Sequence, residues 1–336
     1  MDQLLIFSNQ PDHSIVSEIL SSMQAMPEFK DCRLGKATVK FHSDREPFVE
    51  LKENVRGRNI VVVACAATDA NGSVNDHTMM TLVLLDALRW NGARVEVVIF
   101  PYSPYARQDR RKGVITDRTA ITAKLFARLL LTAAPSLRNV GTVEPHTVYL
   151  EGFFECTYDP ILILRKMAHD ALEIFTDPSQ IVVVSPDVGG RERASAFATA
   201  CGTPRPIAFV DKRRIELGQA KALQLVGDVR DADVIIVDDI IDTAGTLKEC
   251  CRIVREYGAE RILVIGVHGL LTGRAVERLK GCRLSGAFVT NSITKRPEFE
   301  QLPGARIIHI GSHIARAIHC IMTQGSLRSL GNNDTG

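Results

Sequence analysis

A series of short β-branched runs, each followed by a polar or glycine-containing turn and then a helical pattern, constrains this 336-residue chain more than any other feature. The runs span residues 59–64, 95–100, 180–184, 233–237, 261–267 and 306–310. They are apolar on both faces, as in central strands of a parallel sheet, where helices cover each side and leave no solvent face for polar residues. The intervening segments are long enough for crossover helices. Helical spacing predicts helices over residues 78–90, 120–131, 192–200 and 247–257, the last ended by Gly258 at the position that favours a left-handed residue. The expected class is α/β, with two similar domains, each a mainly parallel sheet flanked by helices. Residues 153–159, an aromatic pair and then Asp-Pro, separate two strand-helix series of similar size. The border predicted from them gives domains over 1–156 and 157–325, with 326–336 as a disordered tail.

Charge narrows the partners. Lys and Arg total 41 against 39 Asp and Glu, a formal net charge of +2. That is too small for a general attraction to nucleic acid or to anionic membranes, so any anion site must be local. The eight cysteines are scattered, with no C-x-x-C and no Cys/His pair at zinc spacing, and read as reduced thiols. No stretch approaches the roughly 18 apolar residues that a membrane span requires. The start of the chain lacks the basic flank and long apolar run of a secretion signal. Cytoplasmic residence, with neither nucleic-acid nor membrane partners, is the expectation.

The segment that carries most chemistry is V-I-I-V-D-D-I-I-D-T-A-G-T, residues 234–246. An apolar strand runs into Asp238 and Asp239; Asp242, Thr243, Ala244, Gly245 and Thr246 then open a helix. Carboxylates are costly to bury, so an adjacent pair belongs at the solvent-facing carboxyl end of a core strand, where open α/β sheets bind ligands. The small-residue loop offers backbone N–H groups and two hydroxyls at a helix N-terminus, an anion cradle. Together these suit a phosphorylated sugar. The bare D-D or D-T-x-G-T alone also suits a helix N-cap with flanking acids. There is no G-x-x-x-x-G-K-[ST], so any ATP site is not a P-loop.

The 234–246 segment resembles the phosphoribosyl-diphosphate (PRPP) binding motif of type I phosphoribosyltransferase-like proteins. Three further segments narrow the resemblance to the ribose-phosphate diphosphokinase, or PRPP synthetase, family: F-P-Y-S-P-Y-A-R-Q-D-R-R-K at 100–112, V-V-V-S-P-D-V-G-G at 182–190 and V-D-K-R-R at 210–214. Weaker matches at 35–39, 43–46 and 289–293 extend it over nearly the whole chain. The resemblance implies transfer of the diphosphoryl group of ATP to the 1-hydroxyl of ribose 5-phosphate. It implies that Arg107 and Gln108 hold ATP, with Asp44, Arg45 and Glu46 supplied by a neighbouring subunit. It further implies that His146 and Asp187 ligate Mg²⁺, that Lys212 and Arg214 are catalytic cations, and that Asp238, Asp239 and Asp242 to Thr246 hold ribose 5-phosphate. A dimer-based homo-oligomer, up to a hexamer, follows from the same resemblance. Physical reading agrees in part. A guanidinium stacks on a purine or forks onto phosphate, an amide reads adenine edges, and a carboxylate is a hard ligand for Mg²⁺.

The chain also departs from the family pattern. Glu144-Pro145-His146 and Tyr149 stand where D-L-H and a Gln are usual, Arg45 replaces the glycine of S-D-G-E, and His42 is extra. Two rival readings use the same 238–246 motif. One is a phosphoribosyltransferase that consumes PRPP, which has no need of the 100–112 segment. The other is a non-catalytic, synthetase-like regulatory subunit.

Overall fold

The computed structural model describes residues 4–111, 118–213, 222–294, 296–327 and 330, with the side chains of 212, 213 and 222 excepted. The described part divides into two compact units, 1–162 with 292–294 and 309–336, and 163–291 with 295–308. The first holds β1 (Leu5–Ser8), α1 (Ser14–Gln24), β2 (Arg33–Leu34), β3 (Ala37–Phe41), β4 (Pro47–Leu51), β5 (Asn59–Val63), α2 (Val74–Trp90), β6 (Arg94–Phe100), α3 (Thr122–Ala133), β7 (Asn139–Val143) and β8 (Thr157–Ile161). The second holds α4 (Leu164–Leu172), β9 (Ile181–Ser185), α5 (Arg191–Cys201), β10 (Ala208–Arg213), β11 (Ala222–Val226), β12 (Asp233–Ile241), α6 (Gly245–Glu256), β13 (Arg261–Gly269), α7 (Ala275–Lys280), β14 (Gly286–Thr290), α8 (Pro297–Glu300) and β15 (Ala305–Ile308). The last helix, α9 (Gly311–Met322), belongs to the first unit.

In the first unit a six-stranded parallel sheet runs β2-β1-β5-β6-β7-β8, beside an antiparallel β3–β4 hairpin. In the second, seven strands run β11-β10-β9-β12-β13-β14-β15, all parallel except the β10–β11 pair. The β-branched runs form central strands, as their two-faced apolarity requires. All five residues of β9 and the first five of β12 are buried. Each fully buried Val, Ile or Leu contributes about 1.5–3 kcal/mol, so these strands anchor the sheet against loss of the polar loops at its edge.

Three differences from the sequence reading have physical causes. The border falls after Leu162 and not at 156, because β8 completes the first sheet by pairing with β7, Val143 opposite Ile161. The chain then returns to the first unit, where α9 packs on α1. Strand β12 continues to Ile241 and not to 237, because β13 pairs with it past the acidic residues, Ile240 opposite His268 and Ile241 opposite Gly269. Gly266 on β13 makes that extension sterically feasible: a Cβ there would lie 2.2 Å from Ile241 Cγ1. Of the tail at 326–336, only 326, 327 and 330 fall within the described residues. Among the described residues no helix is long and apolar enough to cross a membrane.

Candidate functional site

The acidic strand end and the helix that follows it lie together in the second unit. Asp238 and Asp239 are adjacent on β12, and their carboxyl groups come within side-chain hydrogen-bonding reach of each other, so it is exposure that tells them apart. Asp239 is buried, its side chain 6% exposed, while that of Asp238 is 25% exposed. This corrects the expectation of two solvent-facing carboxylates. The compensating charge is Arg193 on α5, which lies 3.3 Å from Asp239 Oδ1 and 4.0 Å from Asp238 Oδ1. Burial, then the neighbouring Asp239, pushes the Asp238 carboxyl well above the usual carboxylate range, and Arg193 opposes that shift. Asp238 Oδ1 accepts the Asp239 N–H at 2.9 Å.

Beyond the strand, Asp242 is fixed from the β13 side. The Thr272 hydroxyl donates to Asp242 Oδ1 at 2.5 Å, and the Thr272 N–H donates to the Asp242 carbonyl at 3.0 Å. Arg278 donates to the Thr243 carbonyl at 2.7 Å. Ala244 then takes φ 56°, a left-handed turn more natural to glycine, and delivers the chain into α6. No side chain caps this helix. The N–H groups of its first turn, with the positive end of the helix dipole, form the kind of opening that receives an anion. Thr243 and Thr246 are exposed beside it. A cavity of about 240 Å³ starts there, lined by Gly245, Thr246, Glu249, Cys250, Pro186, Val210 and Leu223. Burial pushes the Cys250 thiol well up, so it lines the cavity as a neutral group.

Asp187 closes the same edge of the sheet. It follows β9, is exposed, and uses Oδ1 to accept the Gly190 N–H at 3.1 Å, while its carbonyl accepts the Ser185 hydroxyl at 2.6 Å. The loop therefore orients a carboxylate toward solvent. Lys212 lies opposite Leu223 in the β10–β11 ladder. Its side chain and the whole of Arg214 fall outside the described residues.

The other predicted residues lie in the first unit, on loops. Exposed Arg107 and half-buried Gln108 follow β6, where the Gln108 carbonyl accepts the N–H of Ala123 on α3 at 3.3 Å. Tyr105 holds that loop to α2: its backbone is left-handed at φ 58° and its hydroxyl donates to Asn75 Oδ1 at 2.6 Å. Asp44, Arg45 and Glu46 are exposed in the β3–β4 turn. Arg45 takes φ 75°, a left-handed conformation that glycine adopts most easily. Its guanidinium lies 4.4 Å from the Phe41 ring centroid and donates to the Asn71 carbonyl at 2.8 Å and to Asp76 Oδ2 at 3.0 Å. Bonds from Ser73 and then from Arg45 hold the Asp76 carboxyl down at about 2. His146 is exposed after buried Glu144, and Tyr149 is 66% exposed. Thus the structure gathers Asp187 with Asp238 to Thr246 in one unit, and places Arg107, Gln108, Asp44 to Glu46 and His146 in the other.

Sequence reasoning missed Arg193, Thr272 and Arg278. An Arg in the first turn of a helix reads as a solvated surface charge, and the other two meet the loop only through the parallel ladder and α7. A cluster of His169, Asp170 and Glu173 has metal-ligand proximity, but it sits on the surface of α4, with Asp170 paired to Lys166 and Glu173 to Arg306.

The fold defines a two-domain α/β protein, each domain a mainly parallel sheet flanked by helices. Residues 4–134 match the model for the N-terminal domain of ribose phosphate pyrophosphokinase, and residues 209–331 match that for the phosphoribosyl synthetase-associated domain. A ribose-phosphate pyrophosphokinase of Mesorhizobium japonicum is 34% identical over 91% of this chain and 95% of its own. That of Caulobacter vibrioides is 37% identical over the same shares. The crystal structure of phosphoribosylpyrophosphate synthetase from Mycobacterium smegmatis matches with a TM-score of 0.83 and 28% identity, covering 96% of this chain and 100% of that one. The chain belongs to the ribose-phosphate pyrophosphokinase family.

Proposed function

We propose that the chain transfers the β,γ-diphosphoryl group of ATP to the 1-hydroxyl of ribose 5-phosphate, giving PRPP and AMP. The observation that supports this most strongly is the uncapped N-terminus of α6, opening after an acidic strand end and beside a cavity. There the first-turn N–H groups, Thr243 and Thr246 bind the 5-phosphate, while Asp238 and Asp242 accept hydrogen bonds from the sugar hydroxyls. The sugar is thereby held in one orientation, and positioning of this kind supplies much of the acceleration in phosphoryl transfer. Arg107 and Gln108 bind ATP, with Asp44, Arg45 and Glu46 completing its pocket from a neighbouring subunit of a homo-oligomer.

Asp187 fits a divalent cation: it is an exposed hard-oxygen donor, oriented by the Gly190 N–H, at the edge that carries the sugar-phosphate loop. It would hold Mg²⁺, which when bound neutralises charge on the diphosphate. Lys212 and Arg214 hold the transferring diphosphoryl group and exclude water from it. The 1-hydroxyl oxygen attacks the β-phosphorus, the bond from that phosphorus to the α-phosphate bridging oxygen breaks, and AMP leaves. Reaction in the cytoplasm agrees with a set of substrates that are soluble metabolites. The test is incubation with ATP, Mg²⁺ and ribose 5-phosphate, followed by chromatography: AMP and PRPP appear in equal amounts, and AMP without the sugar rejects the reading.

A further inference from the structure

Arg193 stands where a cation is ordinarily unfavourable, in the first turn of α5 at the positive end of the helix dipole. Its side chain is nonetheless 15% exposed, and it lies between two carboxylates. A local rule broken at a strand end, with a fully formed compensation, marks a position kept for the site rather than for the helix.

We propose that Arg193 is a positioning residue of the sugar-phosphate site: its guanidinium holds Asp239 as an internal anion and so leaves Asp238 as the carboxylate of the pair that meets substrate. This rests on the reading of the 238–246 region as the ribose 5-phosphate site, and it separates two carboxylates that the sequence treats alike. The distances carry the distinction, 3.3 Å to the buried Asp239 against 4.0 Å to the more exposed Asp238. Exposure agrees with the distances: the Asp239 side chain is 6% exposed and that of Asp238 25%. Without the guanidinium, Asp238 and Asp239 would lose the cation that lies against both, and Asp187 would still repel Asp238. Asp239 would then swing out or take up a proton, and in either case Asp238 would lose its alignment.

The test is a cycle of Arg193→Gln, Asp239→Asn and the double variant, with Arg193→Lys beside them, in the full-length protein. Arg193→Gln should raise the KM for ribose 5-phosphate about tenfold while the KM for ATP changes less than about threefold, and Arg193→Lys should recover most of the loss. The double variant should be no worse than the poorer single, because removing both charges leaves neither uncompensated. Additive losses, or a KM for ATP that rises in step, would overturn the proposal. Should Arg193→Gln fail to fold, the double variant should still fold; its failure too would count against the pairing. If the wild-type protein makes no PRPP, it is the proposed function that has failed. The same cycle read by thermal unfolding then decides the pairing, coupled shifts supporting it and additive shifts contradicting it.

Discussion

The two units carry their candidate residues in opposite ways. In the second, Asp238, Asp239 and Asp242 are fixed by a strand, an Arg and a Thr, and the proposed phosphate cradle is the first turn of a helix. In the first, Arg107, Gln108 and Asp44 to Glu46 ride on turns, with Tyr105 and Arg45 left-handed there as Ala244 is in the second. The proposed sugar-phosphate site draws its groups from one strand-helix junction. A nucleotide is larger, and here its predicted contacts come from separate loops that must each be held down. The hairpin turn is held by Phe41, Asn71 and Asp76, all within its own unit.

The largest expected effect belongs to neither cradle. Lys212→Ala should lower turnover by roughly 10² to 10³ with substrate affinities little changed, since a preorganised cation acts mainly on charge that develops in the transition state. Steady-state kinetics check it, and near-normal turnover removes Lys212 from the mechanism.

Next are Asp238→Asn and Thr246→Ala. Each should weaken ribose 5-phosphate binding about tenfold, the loss of one hydrogen bond to a charged or strongly polar partner. ATP affinity should stay unchanged. Calorimetry that shows the reverse would mean the two units have exchanged substrates.

Acid should separate the units as well. The Glu53 carboxyl in the first unit is held down at about 2, chiefly by the Arg33 side chain. It contributes stability that is present above its unfolded value near 4.5 and is lost as pH falls through about 2. Asp238 in the second unit is raised, so its contribution has the opposite sign: full below the unfolded value of 3.8, and lost as pH rises through the higher folded value. As pH falls from neutrality toward 3.8, hydrogen exchange should show β12 gaining protection relative to the strands of the first unit. Equal change in both would contradict this contrast.

The smallest effect is at the turn. Arg45→Gly relieves a left-handed Arg, worth about 1 kcal/mol, but loses an exposed ion pair and adds unfolded-state entropy of similar size, so stability should stay within about 1 kcal/mol. The KM for ATP is the sharper readout. A change of several-fold at constant Tm would assign Arg45 to the nucleotide site, and no change would leave it as a brace for the hairpin.

What the sequence makes legible follows the same division. Two-faced apolar runs give the central strands, and D-D-I-I-D-T-A-G-T gives the cradle, because strand, acid and helix opening are contiguous. Arg193 is not legible, since its meaning depends on the packing of α5 against β12. The β3–β4 hairpin and β8 are not legible either: their residues alternate or are interrupted by Pro160, and it is pairing that makes them strands. The return of α9 to the first unit depends on a partner, α1, nearly the whole chain away.

The central claim is that the sugar oxygen attacks the β-phosphorus of ATP. A ³¹P spectrum of the protein with Mg²⁺, ribose 5-phosphate and stoichiometric ATP tests it most directly. The account predicts resonances of AMP and of a diphosphate ester on the sugar, growing together with no ADP. Growth of ADP without that ester would mean attack at the γ-phosphorus and an ordinary sugar kinase, while no change in the ATP resonances would leave a regulatory subunit; either contradicts the account.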